Sequence, residues 1–105
     1  MVRETYALAD AEIEALPPGL RARLIRLLET MEKVGLDHLG EPHVKHLDGK
    51  LWESRAKAQE GIARGLYVTA TGRRLIVLHV FVKKSAKTPR GASDIARKRM
   101  KDVIA

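Results

Sequence analysis

The chain has 105 residues, no cysteine and a formal net charge of +7, with 45% apolar and 31% charged residues. That balance fits one folded domain over 1–105 and excludes a disulfide framework, thiolate catalysis and a cysteine-based zinc site. No window approaches the roughly 20 apolar residues of a membrane-spanning helix, and the first residues lack a basic-then-apolar leader pattern; the expectation is a cytoplasmic protein with no membrane association.

In chain order, Val2 to Ala7 reads as either a short strand or a loose tail, since only Val2, Tyr6 and Leu8 offer anchors. Asp10 suits the cap of a short helix over Ala11 to Leu16, and Pro17-Pro18 must end it, because proline lacks the amide donor and restricts the residue before it. Leu20, Leu24, Leu27, Leu28, Met31 and Val34 then recur at helical spacing, with Gly35 placed to terminate the helix. The two segments predict a helical hairpin or kinked pair packed on something flat. After Gly40 the period changes. Three runs, Leu51 to Ala56, Ile62 to Thr69 and Leu75 to Val82, read as an antiparallel meander with glycine-bearing turns at Gln59-Glu60-Gly61 and Thr71-Gly72-Arg73. The second run alternates, placing Ile62, Arg64, Leu66 and Val68 on one face and Ala63, Gly65, Tyr67 and Thr69 on the other. The third is apolar almost throughout, which predicts a strand covered on both faces. Thr88 and Pro89 then suit the start of a last helix whose stripe is Ala92, Ile95, Ala96, Met100 and Val103.

The charge is unevenly placed. From Lys83 to Asp102 stand eight cations (Lys83, Lys84, Lys87, Arg90, Arg97, Lys98, Arg99 and Lys101) against Asp94 and Asp102, so 8 − 2 = +6 of the total +7 lies in the last fifth. A single-sign field beside a rigid strand is the footprint of a polyanion partner, with RNA or DNA as the first candidate. One Trp, two Tyr and one Phe cannot build a base-stacking platform, which disfavours sequence-selective single-strand binding by itself.

The wording of several segments is more specific than their order. Val44-Lys45-His46-Leu47-Asp48-Gly49-Lys50-Leu51-Trp52-Glu53-Ser54-Arg55 is followed by Ile62-Ala63-Arg64, by Leu78-His79-Val80-Phe81-Val82-Lys83-Lys84, by Lys87-Thr88-Pro89 and by Ile95-Ala96-Arg97-Lys98-Arg99. From about Leu16 to the C-terminus this succession resembles the phage-derived Gp49-like, HigB-type toxins of type II toxin-antitoxin systems, within the RelE/ParE superfamily. The resemblance implies an α+β, RelE-like fold: an N-terminal helical hairpin packed on a small twisted antiparallel sheet, with a basic C-terminal helix. It implies a metal-independent messenger endoribonuclease without cofactors that works at the ribosome. A cognate helix-turn-helix antitoxin holds such a toxin inactive, as a homodimer or a heterotetramer with the antitoxin. A ParE-like gyrase inhibitor and a plain nucleic-acid-binding module are the alternatives, since a shared fold hosts different activities.

Metal-free RNA cleavage requires removal of the 2'-hydroxyl proton, stabilisation of charge on the scissile phosphate and protonation of the departing 5'-oxygen. Arg55 and Arg64, on neighbouring antiparallel runs, are the first candidates for the phosphate, because the guanidinium fork matches phosphate bidentately. By resemblance they match basic positions of the family's active surface, and Lys83 and Lys84 match a further basic pair. The expected catalytic set is Arg55, Arg64 and Lys84, with Lys83, Lys87, Arg97 and Arg99 binding RNA. A surface ion pair with Glu53 or Glu60 is the plain structural account of Arg55. His79, inside the core run, fits a buried hydrogen-bonded residue better than a catalyst, and His43 and His46 fall in the irregular approach to the first meander strand. A metal site is disfavoured because His38, His43 and His46 lack regular spacing and have no carboxylate cluster beside them. Since no Tyr or His follows His79, the acid-base assignment stays open, with Tyr67 the remaining phenol.

Overall fold

The computed structural model describes residues 2–34, 44–70, 74–83 and 90–104. Eight elements follow in order: β1 (Val2–Thr5), α1 (Ala7–Glu14), α2 (Pro18–Val34), β2 (Val44–Asp48), β3 (Leu51–Ala58), β4 (Gly61–Ala70), β5 (Arg74–Lys83) and α3 (Arg90–Ile104). They form an α+β fold with one five-stranded sheet in the order β1-β5-β4-β3-β2. α1 lies against β5, and α2 against β3 and β4, while α3 packs on β4 and β5. No helix among the described residues is long and apolar enough to cross a membrane.

The strand periodicity explains the layering. On β4 the alternation holds as expected: Ala63 and Tyr67 join the core under α1 and α2 with Leu20, Leu24, Leu28 and Met31, whereas Leu66 and Val68 join a second core with Ala92 and Ala96 of α3. β5 is apolar throughout because it feeds both, sending Leu75, Val77 and Val80 to the first and Ile76 and Leu78 to the second. A shift between Leu66 and Tyr67 in the β4–β5 pairing leaves Leu78 without an opposite residue, the signature of a bulge on β5.

Four expectations need correction. The sheet is mixed rather than antiparallel: β1 pairs parallel with β5, Val2 opposite Arg74 and Thr5 opposite Val77, held further by the Glu4–Arg74 ion pair. Val44–Asp48, read as irregular, forms β2 and a hairpin with β3 through Gly49, whose φ of 53° suits the Gly49-Lys50 turn. α1 begins before Asp10, at Ala7. The Tyr6 amide donates to Val77 O while Tyr6 O accepts from Ala9 and Asp10, so the chain passes from β1 into the helix without a side-chain cap. Ile95 is 41% exposed and stands outside the apolar stripe of α3, where buried Ala92 and Ala96 allow close approach. The Gly35 terminus, the Thr71-Gly72-Arg73 turn and the Thr88 cap lie outside the described residues. α2 keeps the expected buried face of Leu20, Leu24, Leu28 and Met31, and the Glu60 carboxylate accepts from Gly19 N at its N-terminus at 2.9 Å.

Candidate nucleic-acid interface

The β3–β4 hairpin sets Arg55 directly opposite Arg64 and Glu53 opposite Leu66. Directly opposed residues share a face, as do residues two apart on one strand, so both arginines and Glu53 project to the α3 side. Their guanidiniums meet at one atom: Arg55 Nε and Arg64 Nη1 each donate to Glu53 Oε1 at 2.9 Å. Burial ranks the three sharply. Glu53 is fully buried and Arg64 is 3% exposed, whereas the Arg55 side chain is 29% exposed. A carboxylate taken out of water is tolerable only with paired donors, and the two guanidiniums supply them. Arg55 engages Glu53 through Nε alone, and no described residue accepts a hydrogen bond from its two terminal amino groups. Among the described residues Glu53 is the one hydrogen-bonding partner of that guanidinium.

The row continues onto β5. Phe81 stands opposite Arg64, and Lys83 opposite Ile62, at the end of the sheet beyond the arginines. Phe81 is half-buried and stacks on His79 with ring centroids 5.2 Å apart. Lys84 and Lys87 lie outside the described residues, as do His38 and His43.

A second polar cluster occupies the β5 edge where β1 stops. Glu12 of α1 accepts from Val80 N at 3.0 Å, from His79 Nδ1 at 3.0 Å and from Arg99 Nη1 at 2.9 Å. Arg99 also donates to Leu78 O at 2.9 Å, and its guanidinium lies 5.3 Å from the centre of the Tyr6 ring. Together Glu12 and Arg99 satisfy backbone groups that lose their strand partner after Thr5, and they tie α1 to α3 across the sheet edge. Burial pushes the Glu12 carboxyl up. Its bonds to Arg99, the Val80 amide and His79 outweigh that, and the net shift is below the ordinary range. Arg99, expected to bind RNA, is 14% exposed and committed to this strut, while Arg97 is 42% exposed and pairs with Asp94 along α3. His79 matches its expectation as a largely buried, hydrogen-bonded residue.

Tyr67 does not join the arginines. It is fully buried on the opposite face, beneath α2, and burial, with a smaller contribution from Glu53, raises its phenol above the ordinary value. Its hydroxyl has no hydrogen-bond partner among the described residues. The phenol suggested by the sequence as a proton-transfer group is therefore on the wrong side of the sheet. His46 bonds Gly49 O and packs edge-on against Trp52, within the β2–β3 hairpin.

Comparison with known proteins adds one finding. The model of the family described as phage derived protein, Gp49-like, matches residues 11–101. The chain belongs to the Gp49-like family. That family is related to toxin-antitoxin systems, and the match runs from the second half of α1 through most of α3, taking in Glu12, Glu53, Arg55, Arg64, His79 and Arg99. No curated protein matches the chain. Within this Gp49-like protein the ion pair of Arg55 with Glu53, the plain account of Arg55 from the sequence, is present, whereas Glu12 is a site residue that reading the sequence for cations passed over. Glu53 was legible: it precedes Arg55 by two on a strand, and the hairpin register brings Arg64 across. Glu12 was not, since 67 residues separate it from His79.

Proposed function

We propose that this chain is the toxin of a type II toxin-antitoxin pair and a metal-independent endoribonuclease that cuts messenger RNA at the ribosome, silenced by a helix-turn-helix antitoxin. The observation that carries the reading is the convergence of Arg55 and Arg64 on one face at a single buried carboxylate, with Arg55 partly exposed and bonded to it only through Nε. In that reaction the 2'-hydroxyl gives up its proton, its oxygen bonds to phosphorus, and the bond to the 5'-oxygen breaks as that oxygen takes a proton. Arg55 contacts the scissile phosphate and offsets the charge gathering on its oxygens, while Arg64 supports it from behind. Lys84 completes the cationic set, and Lys83, Lys87, Arg97 and Arg99 contribute to the field along which the message approaches. The ribosome supplies the orientation of the message. The antitoxin presents acidic or amphipathic chain to the same basic region.

Expression in a bacterial host with and without the adjacent reading frame tests this. Growth arrest with fragmented messages, relieved by the neighbour and abolished by Arg55→Ala, supports the proposal. Arrest with intact messages transfers the toxin to a gyrase-type target, and growth without arrest removes the toxin reading.

A further inference from the structure

We infer that Glu53 is a positioning residue of the phosphate site: its buried carboxylate clamps the Arg55 guanidinium through Nε, so that the two terminal amino groups meet an RNA phosphate as a fixed fork. This rests on the nuclease reading above and assigns a role to an acid where only cations were expected.

The argument begins with an apparent disadvantage. A surface meant to bind a polyanion gains nothing electrostatically from a carboxylate at its centre, yet Glu53 is fully buried there with both arginines on one of its oxygens. An acid used only to neutralise Arg64 has no need to engage Arg55, which at 29% exposure has water available. The bond at Nε restrains the Arg55 guanidinium, and at 29% exposure its terminal amino groups have no hydrogen-bond acceptor among the described residues. Arg64 fixes Glu53 in turn, because it stands across from Arg55 in the β3–β4 ladder and donates to the same oxygen at 2.9 Å. The order of support thus runs from the buried Arg64, through Glu53, to the partly exposed Arg55. A fork immobilised in advance loses less side-chain freedom when phosphate binds and is already aimed when charge develops.

Charge and positioning predict opposite signs for one substitution. Glu53→Gln removes one negative charge from the cluster. If charge alone mattered, RNA would bind more tightly and be cut at least as fast; if the clamp matters, affinity holds or improves while turnover falls. The experiment measures kcat and KM for message cleavage in a ribosome-programmed extract, with binding of a short single-stranded RNA to the purified protein as a second readout and thermal melting as the folding control. The expected result for Glu53→Gln is a kcat reduced about tenfold or more with KM not raised. Arg55→Lys, at a partly exposed position, supplies a variant whose folding is not at issue. It keeps the charge but lacks the fork, and should bind the RNA within about threefold of wild type while losing kcat to a similar degree. Unchanged kcat in either variant, with Arg55→Ala inactive, overturns the clamp and leaves the nuclease standing. Arg55→Ala indistinguishable from wild type in both cleavage and RNA binding overturns the nuclease reading and the clamp together.

Discussion

Replacing Glu53 by methionine removes a carboxylate of similar volume from between two guanidiniums and should be the most destabilising single change at the site. Arg55 can turn into solvent when its partner is lost, but Arg64 is 3% exposed and cannot. Breaking a buried pair so that one charge remains costs about 3–5 kcal/mol, whereas replacing both members by apolar side chains of similar size is often close to neutral. Glu53→Met should therefore lower the melting temperature by more than about 10 °C, given about 4–8 °C per kcal/mol for a domain near 100 residues. Glu53→Met/Arg64→Met should recover most of that loss, so the two substitutions couple favourably by about 2 kcal/mol or more. Thermal and urea unfolding of the two single variants and the double variant form the cycle. A cost below about 1 kcal/mol for Glu53→Met, or plain additivity in the double variant, refutes the claim that these groups neutralise one another out of water. The double variant has a further use, since it retains the partly exposed Arg55 but discards the clamp.

Glu12→Gln should flatten acid unfolding. The Glu12 carboxyl lies below its ordinary value when folded, so its contribution is full above the unfolded value of about 4.3 and is lost as pH falls through the folded one; the gap between variant and wild-type stability should be widest near neutrality and close once pH falls below the folded value. Tyr67→Phe removes a buried hydroxyl without a partner among the described residues, so stability should hold or rise by up to about 1 kcal/mol and cleavage should persist; loss of cleavage alone would return Tyr67 to the chemistry. Glu60→Ala removes the acceptor of the Gly19 amide at the start of α2 and should lower the melting temperature by about 4 °C, read by circular dichroism.

What the sequence determined by itself is whatever short-range pattern controls. Helical spacing in α2, alternation in β4 and the unbroken apolar run of β5 each record which faces must leave water, and those faces are the ones buried. That Arg55 and Arg64 lie on neighbouring antiparallel runs was legible too, while the register that sets them directly opposite came with the structure, where Ala58 pairs with Gly61. The ordered motifs from Val44 to Arg99 pointed to the Gp49-like family, which the match over 11–101 bears out. Tertiary structure alone decided the rest, because it concerns groups distant along the chain. β1 joins β5 in parallel across some seventy residues, a pairing that no local periodicity encodes. Arg99 and Arg55 are both arginines in basic or amphipathic surroundings, and nothing nearby in sequence distinguishes them. One becomes a strut because the end of β1 leaves β5 backbone groups for it and Glu12 to satisfy, and the other stays partly exposed because a buried acid holds it only by Nε. Composition counts charges, but desolvation decides which of them remain available to a partner.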